Sequence, residues 1–125
     1  MSFCFPCFTT HPESNVSFGD LSDAQMCQYL ASFSVAIDDE VKFFKPDVIH
    51  GQHVWALSSL AGGKGVPLVV TCHGTDLMGY DKWPHMKAFV DNTLAYASKI
   101  ICISENNELL LKTMFPSCVS RIVRM

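Results

Sequence analysis

Pro67-Leu68-Val69-Val70-Thr71-Cys72-His73-Gly74-Thr75-Asp76 decides the fold. Leu68 to Cys72 is a short run rich in β-branched residues, with proline before it and glycine soon after it. It is apolar almost throughout instead of alternating, the pattern of a strand buried on both faces of a parallel sheet. Its end is abruptly polar: a histidine, a glycine and two hydrogen-bonding residues follow the last strand residue directly.

Outward from this strand the pattern repeats. Asp47-Val48-Ile49-His50 upstream and Ile100-Ile101-Cys102-Ile103 downstream read as further strands, and Arg121-Ile122-Val123 begins a fourth. Between them, Val54 to Leu60 reads as a helix closing in Gly62-Gly63-Lys64-Gly65. Pro84 to Ser98 reads as a helix with proline in its first turn. Ser104 caps a third helix running to about Met114, before Pro116. Strands joined by helices in this order give βαβ units and a parallel sheet. The fold class is therefore α/β, a Rossmann-like doubly wound sheet.

Upstream, residues 1–20 form an irregular lead segment broken by Pro6, Pro12 and Gly19. Ser22-Asp23-Ala24-Gln25 has the spacing of a capping box. Behind it Met26, Leu30, Phe33, Ile37, Val41 and Phe44 step by threes and fours. This predicts one long amphipathic helix over 22–44, stopped by Lys45-Pro46. The 125 residues thus make a single domain: lead segment, long helix, then βαβαβαβ over 45–125.

Composition narrows the function. Net charge is −3 and the nine Lys and Arg form no run, which argues against a nucleic-acid partner or a polybasic membrane patch. No apolar run approaches a membrane span. The opening Met1-Ser2-Phe3-Cys4-Phe5-Pro6-Cys7-Phe8 lacks the charge and length of a secretory signal. A soluble, cytoplasmic protein is expected. Its six cysteines read as reduced, because Cys72 and Cys102 sit in buried strands and Cys27 in a helical pattern.

The polar residues gather at the strand ends, where open parallel sheets bind ligands. His50-Gly51-Gln52-His53 follows the first strand, His73-Gly74-Thr75-Asp76 the second, and Ser104-Glu105-Asn106-Asn107 the third. Glycine there lets a ligand approach the backbone, and helix N-termini offer N–H groups to sugar or phosphate oxygens. Each cluster also has a plainer reading: Ser104-Glu105 fits an ordinary helix cap. His11 and His85 lie off this rim and read as ordinary histidines.

Other motifs lack their context. Gly62-Gly63-Lys64-Gly65 follows a helix, not a strand, and has no Ser or Thr after its lysine, so it is not a phosphate loop. Cys4-Phe5-Pro6-Cys7 has CxxC spacing without a partner pair or a clear helix. A zinc hydrolase site on the rim histidines would need bridging carboxylates, and only Asp76 is suitably placed. No metal is expected.

The ordered set Lys45-Pro46-Asp47-Val48-Ile49-His50, Pro67 to Leu77 and Ile100 to Glu105 resembles the N-terminal domain of family 4 glycosyltransferases of the GT-B fold. The likeness covers most of 45–125, and residues 11–44 are compatible with the segment leading into it. The resemblance implies retaining transfer of a sugar from a nucleotide-sugar donor to an acceptor glycan, lipid or small-molecule hydroxyl, without a cofactor. His73 would be the catalytic-site histidine. His50, Gly51, His53, Gly74, Thr75, Asp76, Ser104 and Glu105 would contact substrate on the acceptor side of a cleft.

Against that family pattern the chain reads as truncated: a first strand with its glycine-rich loop would precede Met1, and a donor-binding domain would follow Met125. The isolated chain is then expected to be inactive and to self-associate through an uncovered sheet edge, unless Phe3, Phe5 and Phe8 fold back over it. The whole enzyme could sit peripherally at a membrane. Two rivals remain: a nucleotide-sugar epimerase of similar architecture, and a non-catalytic binding or assembly module.

Overall fold

A computed structural model describes Pro6, Cys7, Pro12, Ser14 and residues 16–125. The Cys4–Cys7 pair, His11 and the Phe3, Phe5 and Phe8 side chains fall wholly or partly outside the described residues. After a short 3-10 turn at Phe18–Asp20 the chain forms α1 (Asp23–Phe44), β1 (Ile49–Gln52), α2 (Leu57–Ala61) and β2 (Leu68–Cys72). Next come α3 (Thr75–Met78), α4 (Pro84–Tyr96), β3 (Ala97–Cys102) and α5 (Glu105–Met114). A second 3-10 turn, Pro116–Arg121, leads into β4 (Ile122–Arg124).

All four strands are parallel, in the order β1-β2-β3-β4. The fold is α/β and Rossmann-like. Strands β1 and β3 do not sit where their apolar runs alone would put them. β1 begins two residues later than expected and includes Gly51 and Gln52, because its register pairs Ile49 with Leu68 and Gln52 with Thr71. β3 takes Ala97 and Ser98 from the end of the expected helix, since α4 stops at Tyr96 and the next residues already pair with β2. α2 starts only at Leu57, after an unusual backbone at Ala56 (φ 35°). The one-turn α3 carries too few residues for any periodicity to show.

The long helix α1 starts as its sequence dictates. Ser22 Oγ accepts the Gln25 N–H, and Gln25 Oε1 accepts the Ser22 N–H at 2.9 Å. Its apolar stripe is buried only at the start. Met26 and Tyr29 are buried, with the Tyr29 ring edge-on to Phe18, whose ring lies 4.4 Å from that of Trp55, whereas Phe44 is 77% exposed.

Leu68, Val70, Cys72, Ile100 and Cys102 line one face of the sheet and are buried to 1% or less. Met86, Val90 and Leu94 of α4, spaced by fours, cover them together with Leu111 of α5. Each Å2 of apolar surface removed from water in this layer contributes about 25 cal/mol. The sequence implied burial of both faces. The opposite face instead leaves Val69 and Ile101 half-buried, and Lys99 and Val123 exposed.

Candidate functional site

The carboxyl ends of β1, β2 and β3 meet at one rim, and a buried carboxylate ties the first two together. Asp76, in the first turn of α3, has no exposed surface. Its Oδ2 accepts the Val54 N–H at 3.0 Å and the His73 N–H at 3.4 Å, and its Oδ1 accepts the Cys72 thiol at 3.5 Å. Burial by itself would raise its pKa. The His53 imidazole, 3.7 Å away, and the Val54 and His73 N–H groups outweigh that and bring it below the ordinary carboxylate value. Burial, with the Asp76 charge, pushes the Cys72 thiol far up, so that sulfur stays protonated and unreactive.

Asp76 therefore lies beneath the rim, not on it. Expected as a substrate contact, it serves the backbone of two loops. Gly51 also has a different setting from the one expected. Ser58 Oγ occupies the space where a β-carbon on Gly51 would stand, and it donates to the His53 carbonyl at 2.6 Å. The close approach that this glycine permits is by its own chain.

The exposed polar groups form a line. His73 Nε2 lies 2.7 Å from Gln52 Oε1, an atom that only accepts, so His73 carries its proton on Nε2. The Gln52 amide nitrogen reaches His50 Nε2 at 3.5 Å, and Thr71 Oγ1 lies 2.8 Å from that same ring nitrogen. The His53 ring lies beside His73, with centroids 4.5 Å apart and planes 41° apart.

Beyond β2 the rim opens into a cavity of about 370 Å3 lined by His73, Gly74, Thr75, Ser104 and Asn107, with Met78 and Leu110 as apolar wall. Gly74 has φ 92°, a backbone that side chains rarely adopt. Thr75 is exposed at the start of α3. Ser104 Oγ accepts the Asn107 N–H at 3.2 Å, the ordinary cap of α5. Glu105 is exposed, 3.8 Å from Arg124. The structure thus gathers His73, Gly74, Thr75 and Ser104 around one opening, groups His50 and His53 beside it, and leaves Glu105 outside the cavity lining.

Three residues escaped the sequence reading. Asn107 donates from Nδ2 to the Cys72 carbonyl at 2.7 Å, bracing β3's end against β2's. Gln52 links His50 to His73. Both lie in the polar clusters, where the spacing gave no reason to prefer them to their neighbours. Ser58 sits inside a helix and gave no signal at all. Among the described residues no three His, Cys, Asp or Glu side chains converge to hold a metal ion, and no helix is long and apolar enough to cross a membrane.

The carboxyl rim of an open parallel α/β sheet is where such folds bind ligands, and here it carries polar side chains around a cavity. The comparison with protein families is specific: Glycosyltransferase Family 4 matches residues 12–123, nearly the whole chain. The chain belongs to that family. The comparison with curated proteins finds no match.

Proposed function

We propose that this domain is the acceptor-side half of a retaining glycosyltransferase of GT-B architecture, moving a sugar from a nucleotide-sugar donor to an acceptor hydroxyl. The single observation that carries the reading is the cavity beside His73, which sets hydroxyl-binding groups around one opening at the rim of a family 4 domain. His73, its Nε2 proton held by Gln52, keeps Nδ1 as a lone pair to accept from a sugar or acceptor hydroxyl. Thr75 and Ser104 add hydroxyls, and His50 and His53 extend the contact surface. The donor is bound by a second domain, and the reaction needs no cofactor. A cytoplasmic setting, peripheral at the membrane for the whole enzyme, goes with this reading.

The test is transfer by the whole enzyme. His73→Ala should cost about a hundredfold in turnover, the worth of one preorganised polar contact. It should do so without loss of the folded circular-dichroism signal. Wild-type turnover in that variant would remove His73 from the reaction. Proton NMR of the first-formed product reads the stereochemistry, and an inverted anomeric centre would refute retention. Calorimetric titration of this chain alone with UDP-glucose should show no binding. Tight binding would move the donor site onto this domain.

The outer edge of β1 supports self-association. Ile49 and His53 direct their N–H groups to β2, so the alternate residues His50 and Gln52 turn N–H and C=O outward. No described residue pairs with that side. Beside it lies a groove of about 560 Å3 between α1 and α2, walled by Ile37, Val41, Phe44, Val48 and Leu57. A second copy offers the same edge, and antiparallel pairing about a two-fold axis satisfies both. Light scattering on a sizing column should give a dimer that Val48→Lys dissociates. A monomer that binds no hydrophobic dye would show the edge already covered.

A further inference from the structure

His53 stands in a left-handed backbone conformation (φ 70°), which costs a non-glycine residue free energy. Its backbone is held on both sides: its N–H donates to the Thr71 carbonyl at 2.9 Å, and its carbonyl accepts from Ser58. Glycine or asparagine would make those two bonds with less strain. What histidine adds is the ring. Nδ1 is enclosed and has no hydrogen-bond partner at ordinary distance, yet it faces the buried Asp76 carboxylate at 3.7 Å. The side chain is 40% exposed, and Nε2, unlike Nδ1, is not an enclosed atom without a partner. A strained histidine with one nitrogen turned to a buried carboxylate and the other to the rim is the arrangement of an oriented acceptor.

We infer that Asp76 is a positioning residue that keeps the proton of His53 on Nδ1, so that Nε2 offers its lone pair to a hydroxyl of the sugar acceptor. A carboxylate facing one ring nitrogen draws the proton there, which fixes the tautomer. His73 beside it is set oppositely by Gln52, with its proton on Nε2. The two adjacent, tilted rings therefore present unlike nitrogens to the opening, and a ligand rich in hydroxyls can be read by both. The inference deepens the proposed function and rests on it for the identity of the ligand. The tautomer itself does not depend on activity.

Long-range proton–nitrogen correlation NMR on the 15N-labelled chain at neutral pH reads the state of each ring. His53 should show a protonated Nδ1 and a bare Nε2, and His73 the reverse. Asp76→Asn should move the His53 proton wholly or partly to Nε2 while His73 keeps its pattern. A wild-type His53 protonated on Nε2, or on both nitrogens, would overturn the inference whether or not Asp76→Asn folds. So would a folded Asp76→Asn chain with an unchanged His53.

In the whole enzyme, His53→Asn keeps the left-handed backbone accessible. It should raise KM for the acceptor about tenfold, the worth of one hydrogen bond. Asp76→Asn should raise it in the same direction. An unchanged acceptor KM in His53→Asn would remove the hydroxyl contact. Absence of any sugar transfer by the wild type would instead sink the proposed function, with the tautomer result standing apart.

Discussion

The loops after β1 and β2 and the loop after β3 do the same topological work by different means. After β3, Ser104 caps its own helix three residues on, so the turn's backbone is satisfied locally. After β1 and β2, local chemistry is not enough. His53 and Ala56 both take positive φ, and a carboxylate buried without exposure reaches across to hold Val54 and His73. A turn satisfied locally can be read in the sequence and carries little commitment to function. A turn that is strained and braced from a distance keeps its shape only because several parts of the fold agree on it, which is where positioned chemistry tends to sit.

The largest effect should come from removing the brace. Asp76→Ala leaves two backbone N–H groups without an acceptor in a site closed to water, at about 1–3 kcal/mol each. The thermal midpoint should fall by roughly 10 °C. Calorimetry showing less than a third of that would mean water replaces the carboxylate. The same group sets a pH dependence. Its folded pKa is lowered, so the unfolded chain binds its proton first as pH falls. The stabilisation is complete above the unfolded value of about 4 and is lost as pH drops through the folded value. Asp76→Asn should flatten that part of the acid-denaturation curve, and an unaltered curve would assign the slope to other carboxylates.

A smaller effect tests the packing behind His53. Gly51→Ala drives a methyl group onto Ser58 Oγ and against Val70. Overpacking of this kind costs about 1–3 kcal/mol. If Ser58 is the obstacle, adding Ser58→Ala should recover part of the loss, so that the two changes are not additive. Strict additivity in denaturant melts would place the strain elsewhere.

How much of this was legible beforehand follows the same division. The parallel α/β sheet could be read because Leu68–Cys72 and Ile100–Cys102 are apolar runs set between helical patterns. The start of α1 could be read because Ser22 and Gln25 complete a motif within four residues. The rim clusters could be located, since polar residues directly after buried strands stand out. Their roles could not be sorted. Asp76 and Thr75 are neighbours in sequence, yet one is buried under two loops and the other is exposed. That outcome depends on Asp76 meeting the N–H of Val54, twenty-two residues away in sequence, which no local pattern announces. Ser58 and Asn107 matter through partners at a distance, His53 and Cys72 respectively, and no periodicity encodes such pairs.

The smallest effect belongs to the loop whose backbone is capped locally. Ser104→Ala removes the acceptor for the Asn107 N–H, and loss of an N-cap typically costs about 1 kcal/mol. The group left behind lies at the first turn of α5, where Ser104 is exposed and water can take its place. The melt should therefore shift by only a few degrees. One feature could make the loss larger. Asn107 Nδ2 also holds the Cys72 carbonyl, so a frayed first turn would loosen the junction between β2 and β3. A shift near that of Asp76→Ala would show the two junctions to be coupled, and the contrast between a self-sufficient loop and a braced one would dissolve. A small shift that leaves the His53 and His73 ring signals in place would keep β3's end a plain cap beside an ordered pair of histidines.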